Sequence, residues 1–333
     1  MAVLHYWNLI IKEKNMAKDI PVYVFTGFMD SGKTTLIQET LFENDFTQGG
    51  DDKILIIACE DGDVEYDIEK LKTVNAKVTM IENEEDFNLE NLNKIQKEFD
   101  PDVIFLEYNG TWGVDHIYDE PLPEGWVPAQ SLATVDATTF ENYLNNMRTM
   151  MMEQLFKAEV VIFNRCTDAT PKTKFRGQIK SMNRPAQIVY ERADGTVDDS
   201  PEELPFDIDA DVIEITDADY ALWFMDCMET PKKYDGKKVH FTGLVYNPND
   251  GKLRRDVFVP GRFAMTCCVE DIQFLGMKCK WDKASSLEHR SWIDITAQIK
   301  VEFAKEYKGK GPVLYPISVE AVEKPEDELV YFS

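Results

Sequence analysis

The feature that most constrains this chain of 333 residues is the run GFMDSGKT at residues 27–34. It has the spacing Gly-x-x-x-x-Gly-Lys-Thr and follows directly on VYVFT, a short β-branched and aromatic run at residues 22–26 that reads as a buried strand. Residues 34–42 then carry helical spacing. A strand that stops at glycine and reopens as a helix is the setting a phosphate-binding loop needs. The glycines let successive backbone N–H groups turn toward phosphate oxygens, and the helix N-terminus adds partial positive charge. Gly27, Asp30, Ser31, Gly32, Lys33, Thr34 and Thr35 are therefore the candidate phosphate-binding residues. Lys33 is placed to bridge β- and γ-phosphates, and the Thr34 hydroxyl is a candidate Mg²⁺ ligand. No Gly-x-Gly-x-x-Gly follows any predicted strand, so a dinucleotide site is excluded.

Further apolar runs at 54–58, 103–106, 132–135, 160–163 and 187–190 alternate with helical patterns at 64–71, 86–99, 138–157 and 172–182. That alternation predicts an α/β domain with a mostly parallel sheet covered on both faces. The acidic stretch ERADGTVDDSPEELP at 191–205 lacks periodicity and reads as a linker. Beyond it one helical segment, 219–228, precedes short alternating runs at 239–246, 256–259, 262–269, 272–279, 291–301 and 313–322. These predict a smaller, largely antiparallel β-rich domain, a barrel by its strand spacing. The expected organisation is an extension at 1–18, a phosphate-loop nucleotide-binding domain at 19–190, a linker at 191–205 and a β-rich domain at 206–333.

Sixty-one acidic against 36 basic residues give a net charge of −25, which repels phosphate backbones and anionic lipid surfaces. Nucleic acid is not an expected partner. No apolar run approaches the roughly 20 residues a bilayer requires, so direct membrane insertion is not expected and any membrane association goes through a protein. Six cysteines, two of them adjacent, make no disulfide framework and fit reduced thiols in a cytoplasmic protein. The apolar start lacks a basic segment and a small-residue cleavage site, and Met16 is a second candidate start.

The segment PVYVFTGFMDSGKTTL at 21–36 resembles the opening of the CobW-type GTPases, relatives of the HypB and UreG metallocentre-assembly proteins. Later landmarks follow in order: EDGDVEYD at 60–67, VIFLEYNG at 103–110, TVDA at 134–137, Glu153-Gln154 with Ala158-Glu159, and VVIFN at 160–164. The resemblance covers residues 20–190 and implies GTP and Mg²⁺. Glu107, an acid closing an apolar strand, is a candidate to hold a metal-bound water opposite the phosphate loop. Glu60, Asp61 and Asp63 have two open readings, the Mg²⁺ shell or attacking water on one side and an exposed acidic loop on the other. Residues 110–130 likewise read either as a switch or as a surface loop packed by Trp112 and Trp126.

Three departures stand out. The family reads guanine with Asn-Lys-x-Asp, whereas this chain has Asn164-Arg165-Cys166-Thr167-Asp168, with the acid one residue late. A one-residue bulge would still present Asp168, and Arg165 can cover a ring as lysine does, so Asn164, Arg165 and Asp168 are the candidate base readers, with GTP favoured over ATP. The family's Cys-x-Cys-Cys metal motif is absent, Cys59 being the one cysteine in that region. Asp30 replaces a small residue, and a carboxylate there weakens phosphate binding unless it turns outward or meets Mg²⁺.

Residues 241–246 and 261–270 resemble the soluble domain of a bacterial family paired with permeases, over about 206–330. This implies an OB-like β domain and a membrane-transport or metal context, with a membrane permease or a metalloprotein as the protein partner. Cys267, Cys268 and Cys279, with His289 nearby, are candidate ligands for Zn²⁺ or Cu⁺. Adjacent strand residues point to opposite faces, so burial as small hydrophobes is the competing reading. The expected function is a GTP-binding protein that hydrolyses GTP slowly with Mg²⁺ and signals through its second domain, in metal homeostasis or transport. The rivals are a regulatory module with little turnover, an ATPase, and a metallochaperone using the C-terminal thiols.

Overall fold

A computed structural model describes residues 19–42, 46, 51–248, 253–265 and 272–332. The extension at 1–18, the predicted Asn-Asp-Gly turn at 249–251, and Cys267 and Cys268 lie outside the described residues. The chain divides into two compact units, Met1–Thr170 with Pro185–Ser200 and Pro171–Arg184 with Pro201–Ser333.

The first unit is built on seven strands: β1 (Ile20–Thr26), β2 (Ile54–Ala58), β3 (Ala76–Met80), β4 (Val103–Glu107), β5 (Trp126–Asp136), β6 (Val160–Cys166) and β7 (Gln187–Arg192). Their order is β3-β2-β4-β1-β5-β6-β7, and every pairing is parallel. Its helices are α1 (Lys33–Phe42), α2 (Ile68–Thr73), α3 (Leu89–Phe99), α4 (Asp115–Tyr118), α5 (Phe140–Asn146) and α6 (Arg148–Phe156). Every residue of β2 and β4 is buried, as expected for central parallel strands covered on both faces. Phe25, Ile56 and Phe105 pack with α1 on one face, while Val24, Leu55, Ile57, Ile104 and Leu106 fill the other. The order reverses at β1, with β4 on one side and β5 on the other. Such a reversal opens a crevice at the carboxyl ends of the strands, and the loop at 27–34 leaves β1 there.

The second unit contains α7 (Lys172–Met182), β8 (Ile213–Glu214), α8 (Tyr220–Glu229), α9 (Pro231–Tyr234), β9 (Lys238–Tyr246), β10 (Val257–Met265), β11 (Gln273–Gly276), β12 (Cys279–Lys280), β13 (Trp292–Ala304), β14 (Gly309–Val322) and β15 (Leu329–Tyr331). The pairings β9–β10, β10–β12, β12–β14, β14–β13 and β13–β9 close a ring. Trp223, Phe241, Phe258, Ile293 and Leu314 are buried in one core with Cys279.

Several expectations need correction. Helix α7 falls within residues 19–190, read as the nucleotide-binding domain, while its contacts group it with the second unit. There a Cβ on Gly177 would lie 2.3 Å from Leu222, so the missing side chain permits close approach to α8. Arg176 binds Glu202, Asp226 and Glu229, and together they outweigh the burial that would lower its pKa. The stretch 191–205 is not one linker: β7 runs to Arg192, Glu191 bridges Val197, and residues up to Ser200 belong to the first unit. The helix expected over 138–157 is two helices, broken at Met147 (φ −138°). Strand β5 begins at Trp126, and Trp112 packs against Tyr108 and Phe87, so much of 110–130 is core rather than free loop. Strand β3 was not expected at all.

Candidate functional site

The loop at 27–34 leaves β1 through two glycines held where side chains do not fit. Gly27 has φ +124° and a Cβ there would fall 2.3 Å from the Thr134 carbonyl oxygen; Gly32 has φ +100° and its Cβ would fall 2.5 Å from Asn164 Nδ2. Asp30 also takes a left-handed conformation, φ 58°. The Ser31 hydroxyl lies 2.7 Å from the Thr134 hydroxyl, which ties the loop to β5. Lys33 opens α1, is almost fully buried, and donates to Gly27 O at 2.7 Å and Phe28 O at 2.8 Å. Its third partner is the buried carboxylate of Glu60.

Thr34 donates to Glu107 Oε1 at 2.6 Å, and the Tyr66 hydroxyl donates to Glu107 Oε2 at 2.5 Å. Burial pushes the Glu107 carboxyl above the ordinary range, against the downward pull of Thr34, Tyr66 and Lys33. Burial and Glu107 together push the Tyr66 hydroxyl well up, which keeps it a donor. Glu60 Oε2 also accepts from the Gly110 amide at 3.2 Å. A Cβ on Gly110 would fall 2.4 Å from Gly27 O, so this glycine lies directly against the phosphate loop. Asp30 turns to the acidic loop, its Oδ1 accepting from the Asp63 amide at 3.1 Å. Asp30, Lys33, Thr34, Glu60, Asp63 and Glu107 line a cavity of about 110 Å³ with Gly32, Thr35, Gly62, Val64 and Arg165. A hydroxyl and a carboxylate in contact are hard oxygen donors of the kind Mg²⁺ takes, so Thr34 and Glu107 fit that cation.

A second cavity, of about 310 Å³, shares Gly32, Thr35 and Arg165 with the first and extends to Asn164, Glu39, Glu191, Arg192 and Asp194. Asn164 Nδ2 donates to Ser31 O at 2.6 Å, while its Oδ1 is buried with no partner. Arg165 sits at φ 54°, in an irregularity where the β6–β7 register shifts between Phe163 and Cys166. Its guanidinium holds Asp136 at 2.5 Å and Asp30 O at 3.1 Å. Burial pushes Asp136 up, but bonds from Thr138 and Arg165 outweigh it and the carboxyl titrates below the usual range. Asp168 does not border this cavity. Its carboxylate is 90% exposed and pairs with Arg192 at 2.7 Å. The cavity's own acids are Glu39, Glu191 and Asp194; burial, then Glu39 and Asp194, push Glu191 above the ordinary range.

The structure thus brings Gly27, Asp30, Ser31, Gly32, Lys33, Thr34, Thr35, Glu60, Asp63, Glu107, Asn164 and Arg165 to one end of the sheet and leaves Asp168 aside. Tyr66, Thr134 and Asp136 lie within stretches the sequence reading singled out, but their roles as donor, tether and clamp were not read. Glu191 and Asp194 had been assigned to the linker. Cys279 is wholly buried in the second unit's core, and burial pushes its thiol well up, as expected of a small hydrophobe rather than a ligand. Among the described residues, no three or more His, Cys, Asp and Glu side chains form a group that could hold a metal ion.

A family model of the DUF1980 C-terminal domain matches residues 192–332. Zn(II)-bound YjiA GTPase from E. coli is 23% identical, with 55% of this chain and 60% of that chain covered and a TM-score of 0.42. The hydrogenase maturation factor HypB from Archaeoglobus fulgidus is 19% identical, with 53% of this chain and 82% of that one covered and a TM-score of 0.38. The chain therefore spans less than two thirds of the YjiA length. No curated protein matches it. The family model of the CobW/HypB/UreG nucleotide-binding domain matches residues 21–190, just over half of the chain, and the chain belongs to that family.

Proposed function

We propose that this chain binds GTP with Mg²⁺ at the crevice above β1, hydrolyses it slowly, and passes the nucleotide state to a protein partner through its second unit. The observation that carries this reading is the convergence of Lys33, Thr34 and Glu107 on one small cavity beside a glycine-built loop, with Gly110 packed against that loop. Lys33 and the loop amides take up charge on the phosphate oxygens, where preorganised donors are worth most. Thr34 and Glu107 would hold Mg²⁺, which would supply positive charge to offset that of the phosphates. Asp63, lining the cavity with its amide pinned by Asp30, is the acid that orders the attacking water.

Base preference follows from the larger cavity. Guanine presents N–H donors at N1 and its 2-amino group, and Glu191 offers the acceptor there that Asp168 does not. Adenine presents an acceptor at N1 and no amino group at position 2, so on that edge it has no donors for a carboxylate. Asn164 Oδ1, buried and unpartnered, supplies a second acceptor. The five-strand ring of the second unit supports the OB-like reading, and this unit is the proposed partner-binding element of a cytoplasmic protein in metal homeostasis or transport. Among the described residues no helix is long and apolar enough to cross a membrane.

Steady-state phosphate release, measured with GTP and with ATP against a Lys33→Ala control, tests the reading. Release from GTP above the control and above ATP is expected. Release no greater than the control, with GTP still bound, would make the chain a binding module without turnover.

A further inference from the structure

Glu60 lies within the candidate site, yet its contacts are not those of an acid that holds a cation or a water. One carboxylate oxygen meets the Lys33 ammonium and the other accepts from the Gly110 amide. Both side chains of the ion pair are buried, 1% exposed for Lys33 and 5% for Glu60. A lysine ammonium has three protons to donate. Here they go to Gly27 O, Phe28 O and Glu60, so none remains for a phosphate oxygen until a partner leaves. Glu60 is the one anion of the three. The Gly110 amide faces the same carboxylate from beside the phosphate loop, against Gly27 and Phe28.

We infer that Glu60 is an internal stand-in for the γ-phosphate and the residue that sets discrimination between nucleoside triphosphate and diphosphate. This rests on the proposed nucleotide site. A terminal phosphate needs the same two donors, an ammonium and an amide, and it is itself anionic. Binding of a triphosphate therefore transfers Lys33 and Gly110 from the carboxylate to the phosphate and drives Glu60 out by like-charge repulsion. A diphosphate leaves the Gly110–Glu60 bond in place and demands only part of Lys33. The wild-type chain thereby gives up triphosphate affinity to a contact that a diphosphate does not have to break.

Calorimetric titration of the full chain with GTP and with GDP, both with Mg²⁺, tests this in the wild type, Glu60→Gln and Glu60→Ala. Gln keeps the volume and removes the charge; Ala removes the contact altogether. Because a charge-assisted hydrogen bond is worth about tenfold or more in affinity, both variants should bind GTP about tenfold tighter than wild type, with GDP shifted less than about twofold. Variants that bind GTP no tighter, or that shift GTP and GDP together, overturn the inference while leaving the nucleotide site standing. A wild-type chain that binds neither nucleotide overturns both.

Discussion

The phosphate end and the base end of the crevice are built on opposite plans. At the phosphate end nearly every polar group is answered within the protein: Lys33 has three acceptors, Thr34 and Tyr66 share Glu107, and Asp30 takes the Asp63 amide. The cavity is small, about 110 Å³, and the glycines there stand where side chains would collide with backbone. At the base end the cavity is almost three times larger at about 310 Å³, Asn164 Oδ1 is left unpartnered, and three acids border the space. On the proposed function, the first end is preorganised for one chemical group and would give up internal contacts to bind it. The second is open and acidic, and on the same proposal would select by which donors a ligand brings.

If the contrast is right, substitutions at the two ends should fail differently. The largest effect is expected for Lys33→Ala: loss of a buried ammonium should weaken GTP and ATP alike by about a hundredfold, read by equilibrium titration. The same variant strands the Glu60 carboxylate, and chemical denaturation should show a loss of about 3 kcal/mol, as breaking a buried pair leaves its partner uncompensated. Next comes Gly110→Ala, whose Cβ would lie 2.4 Å from Gly27 O and 2.6 Å from Phe28 Cα. Overpacking backbone against backbone should cost about 2 kcal/mol of stability. At the base end, Glu191→Gln should weaken GTP about tenfold and leave ATP unchanged. A variant that weakened both equally would show that Glu191 does not read the base.

The smallest effect is a pH dependence. The folded chain raises the Glu107 pKa, so this proton is held more tightly than in an unfolded chain. Its contribution to stability is present in acid and lost as pH rises from the ordinary carboxylate range through the raised value. Mg²⁺ competes with the same proton, so Mg²⁺-dependent GTP affinity should rise over that window by about threefold per pH unit. Glu107→Gln should flatten the dependence. An equally steep profile in that variant would place the titrating group elsewhere.

The phosphate end was legible in the sequence because its chemistry is local. Eight consecutive residues, 27–34, carry the turn, the ammonium and the hydroxyl, and Glu107 announces itself by closing an otherwise apolar strand. The acids of the larger cavity were not, because they come from α1, from β7 and from the turn after β7, and no spacing rule joins Glu39 to Glu191 and Asp194. Asp168 does not border that cavity and pairs with Arg192, 24 positions away in the chain. Strand β3 was missed because its five residues mix buried and exposed positions without clean alternation. Strand β10 read as two runs because Pro260-Gly261 interrupts it. In the fold Pro260 pairs with Val245, and Gly261 packs where a Cβ would meet Leu275 O at 2.5 Å. The break at Met147 lies in a pattern whose helical spacing continues on both sides, so periodicity alone did not reveal it.

The most direct test is a crystal structure of the chain with a non-hydrolysable GTP analogue and Mg²⁺. The account predicts the triphosphate against residues 27–34, Mg²⁺ on Thr34 beside Glu107, and guanine in the cavity bordered by Asn164 and Glu191. An analogue bound elsewhere, or a phosphate loop that closes without it, would contradict the account at its centre.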